Sequence, residues 1–284
     1  MNETKNKPHI AFFGSPEFAV DILQELKNNE ILPDLIITQP DRKAGRKMIL
    51  TPPPVKIWAD ANQIPTLQPE KLDEEFINKL KSENWDLFIV AAYGNIIPQE
   101  ILNIPTKGTL NVHPSLLPLH RGATPIHSAI LNGDKETGVS IILLDEKMDH
   151  GPILTQEKIT LWKNSISEMP TQSELEKTLA QLGAKLLGNS ISKWLSGEII
   201  PQEQNHDKAT FCDKLKSSDA LIDLNDNPEK NFLKIQAFDK WPKAHYFENN
   251  KRNIITQAKL KDNRLIIEKI IPEGGSEIEI SKNI

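Results

Sequence analysis

The stretch NVHPSLLPLHRGATPI, residues Asn111 to Ile126, combines an Asn-x-His pair with three prolines and an arginine. It begins inside TLNVH (109–113), a short run that reads as a buried strand. Side chains two positions apart leave a strand on the same face, so Asn111 and His113 are expected to lie side by side. They stand at the carboxyl end of the strand, where ligand sites form in open α/β sheets. The alternative is a histidine that caps the strand end while the asparagine bonds to the turn.

Apolar strands alternate with amphipathic helices on both sides of this stretch. Strands are predicted at 9–14, 34–38, 86–94, 109–113, 138–144 and 153–160, and helices at 55–63, 71–82, 125–132 and 171–195. A further helix follows the first strand, with Ser15 expected as its N-cap and Pro16 at its first position. The alternation predicts an α/β, Rossmann-like fold with a mostly parallel sheet.

The character of the sequence changes near residue 197. Residues 198–207 are polar and contain a proline, which is typical of a linker. Beyond them lie a short predicted helix at 228–238 and several short strand candidates. The chain is therefore predicted to form a domain at 1–197, a linker at 198–207 and a small, mainly β domain at 208–284.

Composition limits the kind of protein this can be. The chain has 284 residues, a net charge of −5 and a single cysteine, Cys212, so an internal disulfide or a multi-cysteine metal site is excluded. The polar N-terminus and the absence of a long apolar run argue against a signal peptide and a membrane span. A cytoplasmic protein is expected.

Nucleic-acid binding would have to rest on a local basic patch, because the whole chain is acidic. The segment QPDRKAGRKMILTPPPVK (39–56) carries five positive side chains against one negative: Arg42, Lys43, Arg46, Lys47 and Lys56 against Asp41. It reads either as a solvated loop or as a flexible arm that grips phosphates.

A carboxylate partner for His113 is expected from the segment DEKMDHGPIL. Asp149 follows a predicted strand there and could hold the histidine tautomer, although Asp145 competes for the role and a turn aspartate often bonds only its own backbone. His113, His120 and His127 are seven residues apart, but the prolines between them break any shared helix face. Without an HExxH motif or a cysteine partner, no metal site is predicted.

Several segments together resemble the methionyl-tRNA formyltransferases, over about residues 8–247. They include FFGSPEFAVDILQEL, ITQPDRKAGRKMILTPPPVK, FIVAAYGNIIP and the long run from NVHPSLLPLHRG to DEKMDHGPIL. The Asn-x-His, SLLPxxRG and Asp-x-Gly pattern is typical of the wider folate-dependent formyltransferases. FFGSPEFAV and QPDRxAGR are typical of the tRNA enzymes.

The resemblance implies formyl transfer from 10-formyltetrahydrofolate to the α-amino group of initiator methionyl-tRNA by a cytoplasmic monomer without a metal. It implies a formyltransferase domain at 1–197 and an abbreviated, OB-like β-barrel that binds tRNA at 208–284. The implied catalytic residues are Asn111, His113 and Asp149. The implied folate-binding residues are Ser115, Leu116, Leu117, Pro118, Ala91, Ala92, Tyr93 and Gly94, and the implied tRNA contacts are Arg42, Lys43, Arg46 and Lys47.

Two alternatives stay open at this point. One keeps the formyl donor and takes an amino-sugar nucleotide as acceptor; the other is a folate- or RNA-binding relative without turnover. Pro114 and Lys243 depart from the residues usual in the tRNA enzymes, so the acceptor is less firmly implied than the donor. Residues 201–284 hold 14 Lys and Arg against 14 Asp and Glu. The basic 39–56 segment would therefore supply more of the electrostatic attraction for tRNA.

Overall fold

Strands and helices alternate through the first two-thirds of the chain, as the sequence predicts. The computed structural model describes residues 7–45 and 48–284. In chain order the elements are β1 Ile10–Gly14, α1 Glu17–Asn28, β2 Leu35–Ile37, β3 Arg42–Ala44, β4 Ile49–Thr51, α2 Pro54–Ala61, β5 Thr66–Leu67, α3 Glu74–Lys81, β6 Leu87–Ala91, α4 Gln99–Leu102, β7 Thr109–His113, β8 Arg121–Gly122, α5 Pro125–Leu131, β9 Glu136–Leu143, β10 Ile153–Thr160, α6 Gln172–Leu195, β11 Phe211–Cys212, α7 Pro228–Ala237, β12 His245–Glu248, β13 Lys251–Lys261, β14 Arg264–Pro272 and β15 Ile278–Asn283.

The main sheet has seven strands in the order β10-β9-β7-β6-β1-β2-β5. The five strands from β7 to β5 run parallel, and β9 is antiparallel to β7. Every residue of β1, β6 and β7 is buried, which accounts for their continuous apolar sequences. The prediction of a Rossmann-like, mostly parallel sheet is confirmed. The carboxyl ends of β1, β6 and β7 lie side by side at one edge of it.

Helix α6 approaches the sheet closely at a glycine. A Cβ atom on Gly183 would lie 2.7 Å from a methyl group of Val112 in β7 and 3.3 Å from one of Val139 in β9. Only hydrogen fits there without moving a side chain. The glycine therefore sets how closely α6 covers the strand that carries Asn111 and His113.

A second, four-stranded antiparallel sheet lies at the C-terminal end of the chain, in the order β12-β13-β14-β15. Helix α7 packs against β13 and β14, where Ile255, Leu265 and Ile267 are buried. The predicted small β region is confirmed. Its four strands form an open meander within the described residues, with β12 and β15 at the edges.

One local prediction was wrong. The N-cap of α1 is Pro16 and not Ser15, because the Ser15 hydroxyl donates to the Tyr93 carbonyl oxygen (3.3 Å) and accepts from the Gln39 N–H (3.2 Å). Within the 39–56 segment, β3 and β4 pair in antiparallel orientation, which the sequence did not predict, and α2 begins at residue 54, one residue before its predicted start.

By its internal contacts the chain divides into two compact units. One comprises Met1–His113, Val139–Glu157 and Leu179–Lys208, and the other Pro114–Gly138, Lys158–Thr178 and Ala209–Ile284. The domain boundaries drawn from the sequence at residues 197 and 208 stay a prediction. None of the helices in the described residues has both the length and the apolar character needed to cross a bilayer.

We predict that Gly183→Ala destabilises the protein by about 1–3 kcal/mol, because the added methyl group overpacks the contact with Val112. Gly188 in the same helix is the matched control, since its Cβ would meet only the Asn29 side chain at 3.9 Å. Gly188→Ala should be neutral or stabilise by up to about 1 kcal/mol through helix propensity. Urea unfolding measures both, and equal stability of the two variants would contradict this account of the packing.

Candidate active site

Two polar side chains are buried at the carboxyl end of β7. Asn111 is 9% exposed and His113 is 4% exposed. Asn111 pairs with Val90 of β6 on one side, and His113 pairs with Ser140 of β9 on the other. Strand neighbours on both sides therefore fix the backbone that carries the amide and the imidazole.

Asp149 lies beside His113 in the structure. It is one of the two aspartates, with Asp145, that the sequence offers as a carboxylate partner for this histidine. Oδ1 of Asp149 lies 3.6 Å from Nδ1 of His113, and the two side chains are 13% and 5% exposed. This separation is longer than a hydrogen bond but is within ion-pair range. Such contacts often tighten when substrate binds, so the carboxylate is placed to orient the imidazole.

The competing aspartate has other partners. Oδ2 of Asp145 lies 2.7 Å from Nδ1 of His150, and its Oδ1 accepts from the Lys147 N–H at 2.9 Å. The geometry therefore places Asp149, and not Asp145, beside the His113 ring.

A tight turn holds Asp149 in an unusual conformation. Its φ of 49° is in the left-handed region, which costs a non-glycine residue roughly 1–2 kcal/mol. A Cβ atom on Gly151 would overlap the backbone carbonyl oxygen of Leu143 at the end of β9. Glycine is therefore required two residues after the aspartate, which gives the Asp-x-Gly spacing a steric cause.

The other two histidines of the seven-residue series have partners of their own. Nε2 of His120 lies 2.6 Å from Oδ2 of Asp134. Burial lowers the pKa of His127, while Glu176 and Asp239 oppose that shift. Within residues 7–45 and 48–284, no group of three or more His, Cys, Asp or Glu side chains is arranged to hold a metal ion.

The SLLP loop after β7 is rigid. The Ser115 hydroxyl donates to the Leu119 carbonyl oxygen at 2.6 Å, and the Leu119 N–H donates to the Leu116 carbonyl oxygen at 3.0 Å. Ser115 and Leu117 are buried, whereas Leu116 and Pro118 are partly exposed. Leu116 and Pro118 are therefore the members of this loop that are more accessible to solvent.

The AAYG segment leaves β6 at the same sheet edge, because Val90 of β6 pairs with Asn111. Ala92 and Gly94 have positive φ angles of 47° and 89°, which turn the chain sharply away from the strand. Tyr93 is 2% exposed, and burial raises its pKa to about 12, so its phenol stays protonated at physiological pH.

The strand end next to Tyr93 has features of a ligand site. The Tyr93 hydroxyl has no hydrogen-bond partner among the described residues. A side chain on Gly94 would meet no atom within 4 Å. These are two separate features: the Tyr93 ring lies in the core, where it meets the Phe13 ring edge-on at 5.5 Å, and the open space lies beside Gly94.

Comparison with known proteins identifies the family of the chain. The Formyl transferase family matches residues 8–191. A methionyl-tRNA formyltransferase from Chloroflexus aurantiacus is 44% identical over 241 residues, which cover 84% of this chain and 76% of that protein.

The chain belongs to the methionyl-tRNA formyltransferase family.

Solved structures show the same fold at lower identity. The methionyl-tRNA formyltransferase from Clostridium thermocellum superposes with a TM-score of 0.61 at 21% identity, over 97% of this chain and 100% of that one. An N-formyltransferase from Helicobacter canadensis, determined with folinic acid and dTDP-3-aminofucose, gives 0.65 at 17% identity, over 97% of this chain and 100% of that one. At these identities the two structures support the fold alone.

The basic segment of this family member is an exposed hairpin. Arg42 and Lys43 are exposed in β3, and the Arg42 guanidinium donates to Oε1 of Gln39 at 3.2 Å. The predicted contacts Arg46 and Lys47 lie outside the described residues. Ile49 of β4 is 61% exposed, so the hairpin has the solvent-facing character of an arm.

One residue of the site was missed by the sequence analysis. Gln204, placed in the predicted linker, is buried and donates from Nε2 to the carbonyl oxygens of Asp149 (2.9 Å) and Gly151 (2.7 Å). No local pattern marks a glutamine in a polar segment as a partner of a loop more than fifty residues earlier.

We predict that Gly151→Ala lowers the turnover number at least about 10-fold, because the methyl group pushes the turn away from Leu143 and moves the Asp149 carboxylate. Gly275→Ala is the control, since its Cβ would make only ordinary contacts with Pro272, the nearest at 3.5 Å. Steady-state formylation assays measure both. Wild-type turnover in Gly151→Ala would contradict the steric account of the turn.

Proposed function

We propose that this protein transfers the formyl group of 10-formyltetrahydrofolate to the α-amino group of initiator methionyl-tRNA, the step that prepares this tRNA for translation initiation. The observation that carries the proposal is the pair of buried side chains Asn111 and His113 at the end of β7, with the Asp149 carboxylate 3.6 Å from the His113 ring. It lies inside the region that matches the Formyl transferase family.

The reaction exchanges one C–N bond for another. The bond between the formyl carbon and the α-amino nitrogen forms, the bond to N10 of the folate breaks, and a proton moves from the amine to N10. A free α-amino group has a pKa of about 7.7–8.0, so a useful fraction is already neutral at cellular pH. The demanding tasks are stabilising the negative oxygen of the tetrahedral species and moving the proton.

The three side chains match those tasks. The Asn111 amide is a donor that can bond the developing oxyanion, and the His113 imidazole can donate to the same oxygen or move the proton. The Asp149 carboxylate beside Nδ1 of His113 orients the ring and assists the relay. These roles need no metal ion, because the charge that develops is met by amide and imidazole donors.

The folate would be held by the two segments that the resemblance implies. We assign the wall of the pocket to residues 91–94, whose turn leaves open space beside Gly94 and a buried Tyr93 hydroxyl that lacks a partner in the described chain. Ser115, Leu116, Leu117 and Pro118 are assigned as further folate contacts on the resemblance alone.

The tRNA would be gripped through its phosphates by the exposed basic hairpin, where Arg42 and Lys43 are joined by Arg46 and Lys47 in the sequence. The C-terminal region, residues 208–284, is assigned as a second, weaker tRNA contact, since residues 201–284 carry no net charge. The monomeric state and the cytoplasmic location stay predictions.

The test offers two acceptors to the purified protein in parallel. With 10-formyltetrahydrofolate as donor, charged initiator tRNA should give formyl-methionyl-tRNA, and a dTDP-linked amino sugar should give no product. If about four phosphates are contacted, the logarithm of the tRNA affinity should fall against the logarithm of salt with a slope of about −3.6. Uncharged initiator tRNA is the control, because it keeps the phosphates and lacks the amine.

Two results would contradict the proposal. Formylation of the sugar without formylation of the tRNA would assign the chain to the other acceptor class. Salt-dependent binding of charged tRNA without any product would identify a binding relative that has no turnover.

A further inference from the structure

We infer that Gln204 is a positioning residue that holds the Asp149 turn in its working conformation. The inference rests on the proposed function, because it assigns Gln204 to formyl transfer through the carboxylate of Asp149. It concerns the backbone of the turn, which Gln204 binds through its side-chain amide.

The NH₂ group of the Gln204 amide bonds this turn twice. Its side chain is buried, with 5% of the residue exposed, and Nε2 donates to the Asp149 oxygen at 2.9 Å and to the Gly151 oxygen at 2.7 Å. An amide NH₂ has two hydrogens, so one donor group bonds both carbonyls that flank His150. Losing it would remove this donor from the carbonyl oxygens of Asp149 and Gly151, the second of which is bonded in a buried setting.

The neighbours of Gln204 bind the same turn. Gln202 exchanges two backbone hydrogen bonds with Ile153, at 2.7 and 2.8 Å. The His206 ring stacks on the His150 ring at 4.0 Å with 3° between the planes. Residues 202, 204 and 206 thus all contact residues 149–153, Gln202 through its backbone and Gln204 and His206 through their side chains. We call residues 202–206 the strap.

The turn needs such support because it is strained. Asp149 has a φ of 49°, a conformation that persists only where the surroundings fix it. On one side Gly151 is pressed against the Leu143 carbonyl, and on the other the strap bonds both carbonyl oxygens. Fixing the carbonyls before and after His150 fixes the direction in which the Asp149 side chain leaves the backbone. Without Gln204 the turn can relax, and the carboxylate can move away from His113.

The test compares variants of Gln204 that keep its volume and remove its donors. Gln204→Met removes both hydrogen bonds, and Gln204→Glu places carboxylate oxygens against two carbonyl oxygens. Each should lower kcat about 10- to 100-fold, as expected for a misplaced catalytic group, with KM for both substrates changed less than about three-fold. Gln204→Asn is the milder variant, because its shorter stem cannot reach both carbonyls. Glu203→Gln, on the exposed face of the strap, is the matched control and should keep wild-type kcat.

A double-mutant cycle separates positioning from a general loss of stability. If Gln204 acts through Asp149, then Asp149→Ala combined with Gln204→Met should turn over no more slowly than Asp149→Ala alone. If the two losses multiply, Gln204 does not act through Asp149, and the inference is overturned. Wild-type kcat in Gln204→Met, Gln204→Glu and Gln204→Asn would also overturn it while leaving the proposed function standing.

Amide hydrogen exchange gives a readout that does not depend on activity. Exchange at the Leu143 and Ile153 amides, whose N–H groups donate to the Pro152 and Gln202 carbonyl oxygens around the turn, should accelerate in Gln204→Met and Gln204→Asn and stay unchanged in Glu203→Gln. Unchanged exchange in both Gln204 variants would overturn the inference even if the wild-type chain formylates methionyl-tRNA. Faster exchange would support it even if the acceptor proved to be different.

Discussion

The rest of this structure depends on one constraint: polar side chains at the end of a buried strand must be kept away from bulk water. All five residues of β7 are buried, and two of them are an asparagine and a histidine. Burying such groups is costly unless they are partnered, and a water-excluding setting also strengthens their effect on a developing charge. The Asp149 carboxylate, 3.6 Å from the His113 ring, belongs to this arrangement. Close packing of α6 at Gly183 covers the same strand.

The proposed catalysis and the proposed attraction of tRNA depend on opposite environments in this protein. The proposed reacting groups are buried, where a few fixed donors have large effects. The proposed tRNA contacts are exposed: Arg42 and Lys43 lie on a solvent-facing hairpin, and the net charge of the chain is −5. Attraction of a polyanion by such a protein must come from a local field, and that field is sensitive to salt. The C-terminal region as a whole, residues 201–284, has no net charge and so adds contact surface rather than long-range attraction.

The sequence predicts those features of the fold that depend on residues close together in the chain. The bounds of β7 and β10 match their predicted ranges, and the two-residue spacing places Asn111 and His113 on one face. Local pattern also limits the candidates for the carboxylate partner of His113 to Asp145 and Asp149. Choosing between the two requires the three-dimensional path of the turn. Ser15 and Gln204 were misread for the same reason: their hydrogen bonds run to residues far along the chain, so no neighbouring residue signals them.

The most direct test of the central claim is single-turnover formylation of charged initiator tRNA, with enzyme in excess over both substrates. Asn111→Ala, His113→Ala and Asp149→Asn should each slow the chemical step about 10²- to 10³-fold, as for loss of one oxyanion donor or its support. The triple variant should be little slower than the worst single variant, because the three groups act as one unit. Near-wild-type single turnover in His113→Ala would contradict the account.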